Sequence, residues 1–389
     1  MQLQQNTDRI QTTHVGSLPR PHRLLDAMKA KYAGEAYDDA AYRSALRAAV
    51  ADAVREQAQC GIDIVTDGEF SKPGFFTYIR ERLEGFEARP GLKPKLFQME
   101  VEAFPEYYEQ YFKQAMLGGA ILPFAPVVCV GPVKYRGEKF LQADIANVKA
   151  AAAAAGIANE HVFLPATAPS GVGKNEYYKS DEDFFHALAA EMAKEYRAIV
   201  DAGILVQIDD PFLPDIFYEP ELDDAQKKRR AHIYVEAINE AIKGIPAERI
   251  RFHTCYGINE GPRIYEAALA DIIEYVFMIE AGSYSFEAAN PRHEHEYHLF
   301  ERIKPPEGKV LIPGVITHAS NIVEHPELIA ERIIRFARLV GRENVIAGAD
   351  CGFSSQAMYN TEVHPTVVWE KFKAMRAGAD LATQRLWDD

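Results

Sequence analysis

Eight short apolar runs, each closed by a polar or glycine-bearing turn and followed by a helical pattern, recur along the 389 residues of this chain. In order they are TTHVGS (12–17), DIVTDGE (63–69), VFLPATAP (162–169), ILVQIDDP (204–211), RIRFHTCYG (249–257), SYSFEAAN (283–290), KVLIPGVI (309–316) and NVIAGADCG (344–352). Amphipathic or alanine-rich stretches such as DEDFFHALAAEMAKEYRAIVDAG and ELIAERIIRFARLVG lie between them. Near-continuous apolar strands alternating with helices call for a parallel sheet covered on both faces. Eight such units close most simply as an α/β fold of the (β/α)₈ barrel type. No linker divides the chain, so residues 1–389 are expected to form a single barrel domain.

Residues from about 86 to 135 interrupt the repeat after the second strand. The segment ARPGLKPKLFQMEVEAFPEYYEQYF is rich in Pro, Phe, Tyr and Glu, and it leads into a ninth apolar run, PVVCVGPV. We expect an excursion above the barrel there. A second long connection, PFLPDIFYEPELDDAQKKRR (211–230), reads as a loop followed by a charged helix start, and such loops usually serve as lids or substrate walls. The tail LATQRLWDD reads as a final helix.

The formal net charge of −14 excludes a nucleic-acid partner, because no basic face is available to displace counterions from phosphates. It argues equally against docking on anionic membranes. No run of about 20 apolar residues is present to span a bilayer. The start, MQLQQNTDRIQTTH, lacks the charged-then-apolar layout of a secretory signal, so a cytoplasmic enzyme is expected.

Four cysteines are too few for a disulfide scaffold in a chain of this length. Cys60 and Cys129 sit in helical and apolar runs and read as small buried hydrophobes. Cys255 and Cys351 keep different company. Polar residues crowd the C-terminal ends of the expected strands: Ser17, Glu69, Asp209, His253, Cys255, Glu287 and Cys351. In a (β/α)₈ barrel that end is the active-site mouth, where residues distant in sequence converge. On an extended strand, residues i and i+2 share a side, so His253 and Cys255 can grip one ion. With Cys351 and Glu287 at the same rim, the set becomes two sulfurs, one nitrogen and one oxygen, which favours zinc over magnesium or calcium. HEHEYH (293–298) follows a proline and reads as a solvated helix start, with a second divalent-ion site as the less favoured alternative.

From TTHVGSLPRP to the DCG turn, the chain resembles the catalytic domain of the cobalamin-independent methionine synthase family and its shorter single-domain relatives. The resemblance implies four zinc ligands: His253 and Cys255 from the HxC motif, a glutamate ending the next strand, and Cys351 from the DCG turn. Ile279-Glu280 also resembles the family's Ile-Glu pair. A gap-free alignment from Asp271 instead puts the glutamate on Glu287, which we take. The resemblance further places a homocysteine carboxylate near Val15-Gly16-Ser17. It places the amino group on Glu69 and on Asp209 of Ile208-Asp209-Asp210-Pro211, and a proton-handling role on His318, one residue out of register.

Two thiolates and a carboxylate make such a zinc a poor generator of hydroxide but leave it able to lower a thiol's pKa and keep the sulfur nucleophilic. The expectation is therefore a zinc-dependent thiol S-methyltransferase, with homocysteine as acceptor, methionine as product and a zinc-bound thiolate as nucleophile. Glu287 is the ligand most easily displaced, because a carboxylate matches zinc less well than a thiolate does. The partners are a small thiol and a methyl donor, with a methylated folate, a methylcobamide carrier or a small methylated thioether or ammonium compound all open. A homo-oligomer is compatible with this reading. The family's folate-facing segments have no clear counterpart, and residues 170–180 read SGVGKNEYYKS instead. An alternative on the same site is a thiol alkyltransferase like the epoxyalkane:coenzyme M transferase. A catalytically silent zinc or thiol sensor is the third reading.

Overall fold

The computed structural model describes residues 5–89, 92, 96–114, 119–122, 125–257 and 261–388. Its strands are β1 (Leu83–Ala88), β2 (Val127–Tyr135), β3 (Phe163–Thr167), β4 (Lys174–Asn175), β5 (Leu205–Asp209), β6 (Ile250–His253), β7 (Ser283–Phe286), β8 (Val310–Ile316) and β9 (Gly348–Ala349). Six of them form a curled parallel sheet in the order β3-β5-β6-β7-β8-β9. In this mixed α/β half-barrel every position of β3, β5, β6, β7 and β8 is buried. That is why these strands read as unbroken apolar runs rather than alternating ones.

Beyond the sheet edges, single parallel bridges join Ala347 to Thr12, Thr13 to Ile64, and Val65 to Val162, the residue before β3. The runs at 12–17 and 63–69 thus contribute bridges where ladders were expected. Their backbones turn away early: Gly16 has φ 144°, Gly68 has φ 71° and Glu69 has φ 58°. Side chains from the strand segments alone, including Ile64, Phe163, Leu205 and Ile312, make one small core cluster. The larger core lies between strands and helices. The helix Asp181–Asp201 is typical: the Ser180 hydroxyl accepts from the Asp183 N–H, and Phe184, Leu188, Met192, Tyr196 and Ile199 face inward at helical spacing. Each large apolar side chain buried this way contributes roughly 1.5–3 kcal/mol.

The excursion is a second, three-stranded sheet in the order β1-β2-β4, beginning at Leu83, slightly before the expected boundary. β1 and β2 are antiparallel, whereas β4, from the loop after β3, joins β2 in parallel. The PVVCVGPV run therefore becomes β2 of this sheet. Two helices follow β1, Gln98–Ala103 and Pro105–Gln114, and pack around Phe97 and Tyr108. Residues 90–91, 93–95, 115–118 and 123–124 of the expected excursion lie outside the described residues. At the root of the sheet, buried Arg82 meets Asp144 at 2.5 Å and Glu195 at 3.0 Å. The hydroxyls of Tyr78 and Tyr135 donate to the same Glu195 carboxylate at 3.0 and 2.7 Å.

The connection after β5 holds a short helix, Phe212–Asp215, and then the helix Asp224–Ile242, opened by a capping box between Asp223 and Gln226. The HEHEYH segment opens the short helix Glu294–Glu301 with His295 and His298 exposed as expected, and His293 is the exception. His293 is buried between the carboxylates of Glu266 (3.1 Å) and Glu296 (2.8 Å). Among the described residues no helix is long and apolar enough to cross a membrane.

Candidate metal and substrate site

β6 ends on His253, which pairs in register with Ser285 of β7. That pairing supplies the Ser285 hydroxyl 3.1 Å from Nδ1 and leaves Nε2 buried with no partner among the described residues. Burial, aided by the nearby Arg251 charge, pushes the imidazole down to about 3, so the ring is neutral and Nε2 can offer a lone pair. Cys255 follows two residues later. Cys351 arrives from the turn after β9, and the two sulfurs lie 3.2 Å apart. That is well beyond the S–S bond length of about 2.05 Å, and both cysteines are free. Contact with Cys255 and then burial raise the Cys351 thiol well above its ordinary range. The donor atoms of His253, Cys255 and Cys351 all lie within 4.8 Å of one another. An ion bound to sulfur at about 2.3 Å and to nitrogen at about 2.0–2.1 Å fits among them with little movement. An orphaned buried imidazole nitrogen beside two unbonded sulfurs is a donor set able to hold a metal ion.

Glu287 stands at the C-terminal end of β7, buried, with both oxygens engaged. Oε1 accepts from the Tyr256 N–H at 3.0 Å, and Oε2 accepts from Asn290 Nδ2 at 2.8 Å and lies 3.4 Å from Arg292. Burial raises this carboxyl to about 7, against the opposing pull of Arg292. It is not one of the three residues whose donors fall within 4.8 Å. Glu280, the competing residue, is exposed just after the helix Leu269–Met278 and before β7 begins, at the other end of the strand. Asp350, next to Cys351, accepts from the N–H groups of Ala288 and Ala289 at 2.8 Å and so fixes the turn that follows Glu287.

Ser17, Glu69 and Asp209 line the same cavity as His253, Cys255 and Cys351. Gly16 makes this approach possible: a Cβ there would lie 2.6 Å from Pro165 Cγ. The Glu69 N–H donates to Asp67 Oδ1 at 2.8 Å, which holds the unusual backbone of Glu69 in place. One carboxylate oxygen of Glu69 is met by Lys72 at 3.2 Å. Among the described residues the Asp209 carboxylate accepts a hydrogen bond from the neutral Gln207 amide alone, at 2.8 Å. Burial and then the Glu69 charge drive the Asp209 carboxyl well above its ordinary range. His318 is buried after β8, its Nδ1 without a partner, and burial pushes it down to about 3. It does not line the cavity; it sits where the charges of Arg292, His253 and Lys371 reach it.

Four residues of the site were not anticipated: Lys72, Gln207, Arg251 and Asp350. Two had a readable signal. Gln207 and Arg251 stand two residues before Asp209 and His253, so strand alternation puts them on the same side. Arg251 is fully buried, donates to Thr13 and to the His14 carbonyl at 2.9 Å, and lies over the Phe163 ring. Lys72 follows a turn that no periodicity describes. From the excursion, Tyr111 reaches the cavity wall and donates to Glu362 at 2.5 Å.

Among known proteins the chain is similar to a methionine synthase of Thermococcus kodakarensis, 26% identical over 345 residues, which cover 88% of this chain and 86% of that protein. A methionine synthase of Sulfolobus acidocaldarius is 28% identical over 250 residues, but that match spans only 63% of this chain and 61% of the relative. In architecture the chain is similar to a B12-independent methionine synthase from Shewanella sp. W3-18-1 solved with selenomethionine (TM-score 0.71, 20% identity, 98% of this chain and 100% of that one). It is also similar to a putative vitamin-B12 independent methionine synthase from Listeria monocytogenes (TM-score 0.67, 21% identity, 97% and 99%). These two likenesses speak to the fold alone. The sequence profile of the cobalamin-independent synthase catalytic domain matches residues 10–91 and 123–370, and the chain belongs to that family.

Proposed function

We propose that this chain is a cytoplasmic, zinc-dependent S-methyltransferase that transfers a methyl group to the sulfur of homocysteine, giving methionine. We further propose that it does so on a single domain whose bridges at Thr12, Thr13 and Val65 close an eight-stranded barrel. The observation that carries the reading is the convergence of His253, Cys255 and Cys351 with the carboxylates of Glu69 and Asp209 on one cavity. His253, Cys255, Cys351 and Glu287 would hold zinc, whose contribution is to lower the thiol's pKa while leaving the sulfur nucleophilic. Asp209 and Glu69 would take the substrate ammonium by charge-assisted hydrogen bonds. Lys72 already meets one oxygen of Glu69, so Asp209 carries the unmatched demand for a cation. Ser17 would orient the carboxylate. His318, buried beside the cavity and kept neutral, would pass the thiol's proton on toward solvent rather than hold it.

The alternative acceptor, a sulfonate-bearing thiol such as coenzyme M, calls for a cation in the cavity wall. Among the described residues the lining holds no lysine or arginine, and it presents Glu69, Asp209 and Glu362. The methyl donor approaches past Phe75 and Tyr111, through a wall without the basic residues that a polyglutamate tail would seek. A direct test adds homocysteine or coenzyme M to the zinc protein and measures thiol-dependent proton release. Homocysteine should release its thiol proton and, as Asp209 ionises to meet the ammonium, a further one, whereas coenzyme M should release little. The reverse order would move the assignment to the sulfonate acceptor.

A further inference from the structure

Glu287 differs from the other proposed ligands because it already has a full set of donors. Tyr256 N–H, Asn290 Nδ2 and Arg292 Nη2 engage its two oxygens at 3.0, 2.8 and 3.4 Å. A side chain that is 0% exposed cannot surrender a partner to bare protein without a large desolvation cost. A metal-ligating carboxylate that gives way to a substrate sulfur therefore needs a prepared place to go. This cradle is such a place.

Arg292 is held firmly in it. Its guanidinium makes bonds of 2.6 and 2.7 Å to Glu266, which also receives His293 at 3.1 Å. Arg263 lies 3.7 Å from Glu266 and 3.3 Å from Glu100, and the side chains of Arg263 and Glu100 are both 0% exposed. Glu100 belongs to the excursion helix Gln98–Ala103. A continuous chain of charges, buried up to the partly exposed Arg292, thus runs from the excursion to Glu287.

Resting on the reading of Glu287 as a zinc ligand, we propose that Tyr256 N–H, Asn290 and Arg292 form the docking place of Glu287 when it is off the metal. Arg292, anchored by Glu266, is then the positioning residue that sets how readily Glu287 yields to a substrate sulfur. Without Arg292 the cradle loses the one cation among its three donors, leaving only the more distant charge of His293, and Glu287 stays on the ion. Substrate then binds against a stronger competitor.

The test uses the full-length zinc protein and reads coordination rather than turnover. Zinc X-ray absorption should show two sulfur donors in the wild type and a third on adding homocysteine. In Arg292→Met the third sulfur should be mostly missing at the same concentration, with homocysteine affinity reduced roughly tenfold, as expected for a partly exposed charge pair. Arg292→Lys should restore much of both. Glu266→Gln, which loosens Arg292 without removing it, should shift both readouts the same way by a smaller factor. Zinc content and the thermal midpoint provide the folding control. If Arg292→Met and Glu266→Gln both gain the third sulfur with wild-type affinity, the proposal is overturned and the reading of Glu287 stands. If Glu287→Gln leaves the wild-type zinc spectrum unchanged, the ligand reading itself has failed.

Discussion

Around Arg82, two carboxylates converge on one guanidinium and two phenols donate to one of them, so each oxygen of Glu195 has a donor and Asp144 has an ion-pair partner. Around Asp209, burial is just as deep, but among the described residues the carboxylate has only a neutral amide for a direct partner, and His253 Nε2 nearby has none. Both groups are built from buried strand and helix positions within one fold. They differ in completion. A closed network rigidifies the root of the excursion sheet, whereas an open one stores a demand that only a ligand can meet.

The largest expected effect falls on the open cluster. Cys255→Ser or Cys351→Ser should remove most of the tightly held zinc, measured as metal per chain after dialysis, because a hydroxyl replaces one of only two thiolates. A protein that holds no zinc at all, yet keeps full methyl transfer, would sink the metal reading. Next, Arg82→Met should cost about 3–5 kcal/mol in denaturant unfolding, since it strands Asp144 and Glu195 in the interior. Its zinc content should not change. Loss of zinc in this variant would mean that the two clusters are one cooperative unit.

Asp209→Asn should weaken homocysteine by about 2–5 kcal/mol, roughly 30-fold to several-thousand-fold, and leave mercaptopropionate nearly untouched because it has no amine. Unlike Arg82→Met, it should also stabilise the ligand-free protein, because it removes a buried carboxyl that must keep a proton it would lose in the unfolded chain. The sign of the pH effect follows from the raised Asp209 pKa. The free carboxyl keeps its proton to higher pH than usual, the ammonium needs the ionised form, and binding therefore expels a proton. Affinity for 2-aminobutyrate, which has the ammonium but no thiol, should climb with pH until Asp209 ionises unaided. Calorimetry in buffers of different ionisation enthalpy reads the released proton directly. The smallest effect is expected for Glu280→Gln, which should leave zinc and homocysteine binding unchanged while Glu287→Gln disturbs both. The opposite pattern would show that the strand-end assignment is wrong.

The strands β3, β5, β6, β7 and β8 were legible because burial on both faces leaves an uninterrupted apolar signature. The i, i+2 geometry of His253 and Cys255 was legible for the same reason: a strand fixes which side each residue faces. The bridges at Thr12, Thr13, Ile64 and Val65 were expected to be longer strands, because sequence pattern does not show that the φ angles of Gly16 and Glu69 cut them short. β1 and β4 gave no signal. LEGFEA mixes exposed and buried positions, and Lys174-Asn175 is a two-residue strand made by its partner rather than by propensity. Lys72 and Asp350 owe their roles to tertiary neighbours, Glu69 in one case and the 288–289 turn in the other.

The backbone at Gly68-Glu69 has a consequence for how this protein could be improved. Both residues sit at positive φ, a conformation that glycine adopts freely and a β-carbon resists by roughly 1–2 kcal/mol. Glu69→Gly would relieve that strain but leave the buried Lys72 without its carboxylate, a loss of about 3–5 kcal/mol that outweighs the relief. A screen for heat resistance should therefore reach this strain only by changing positions 69 and 72 together, and under the role proposed for Glu69 such double variants should discriminate less between an amino-acid thiol and a plain one.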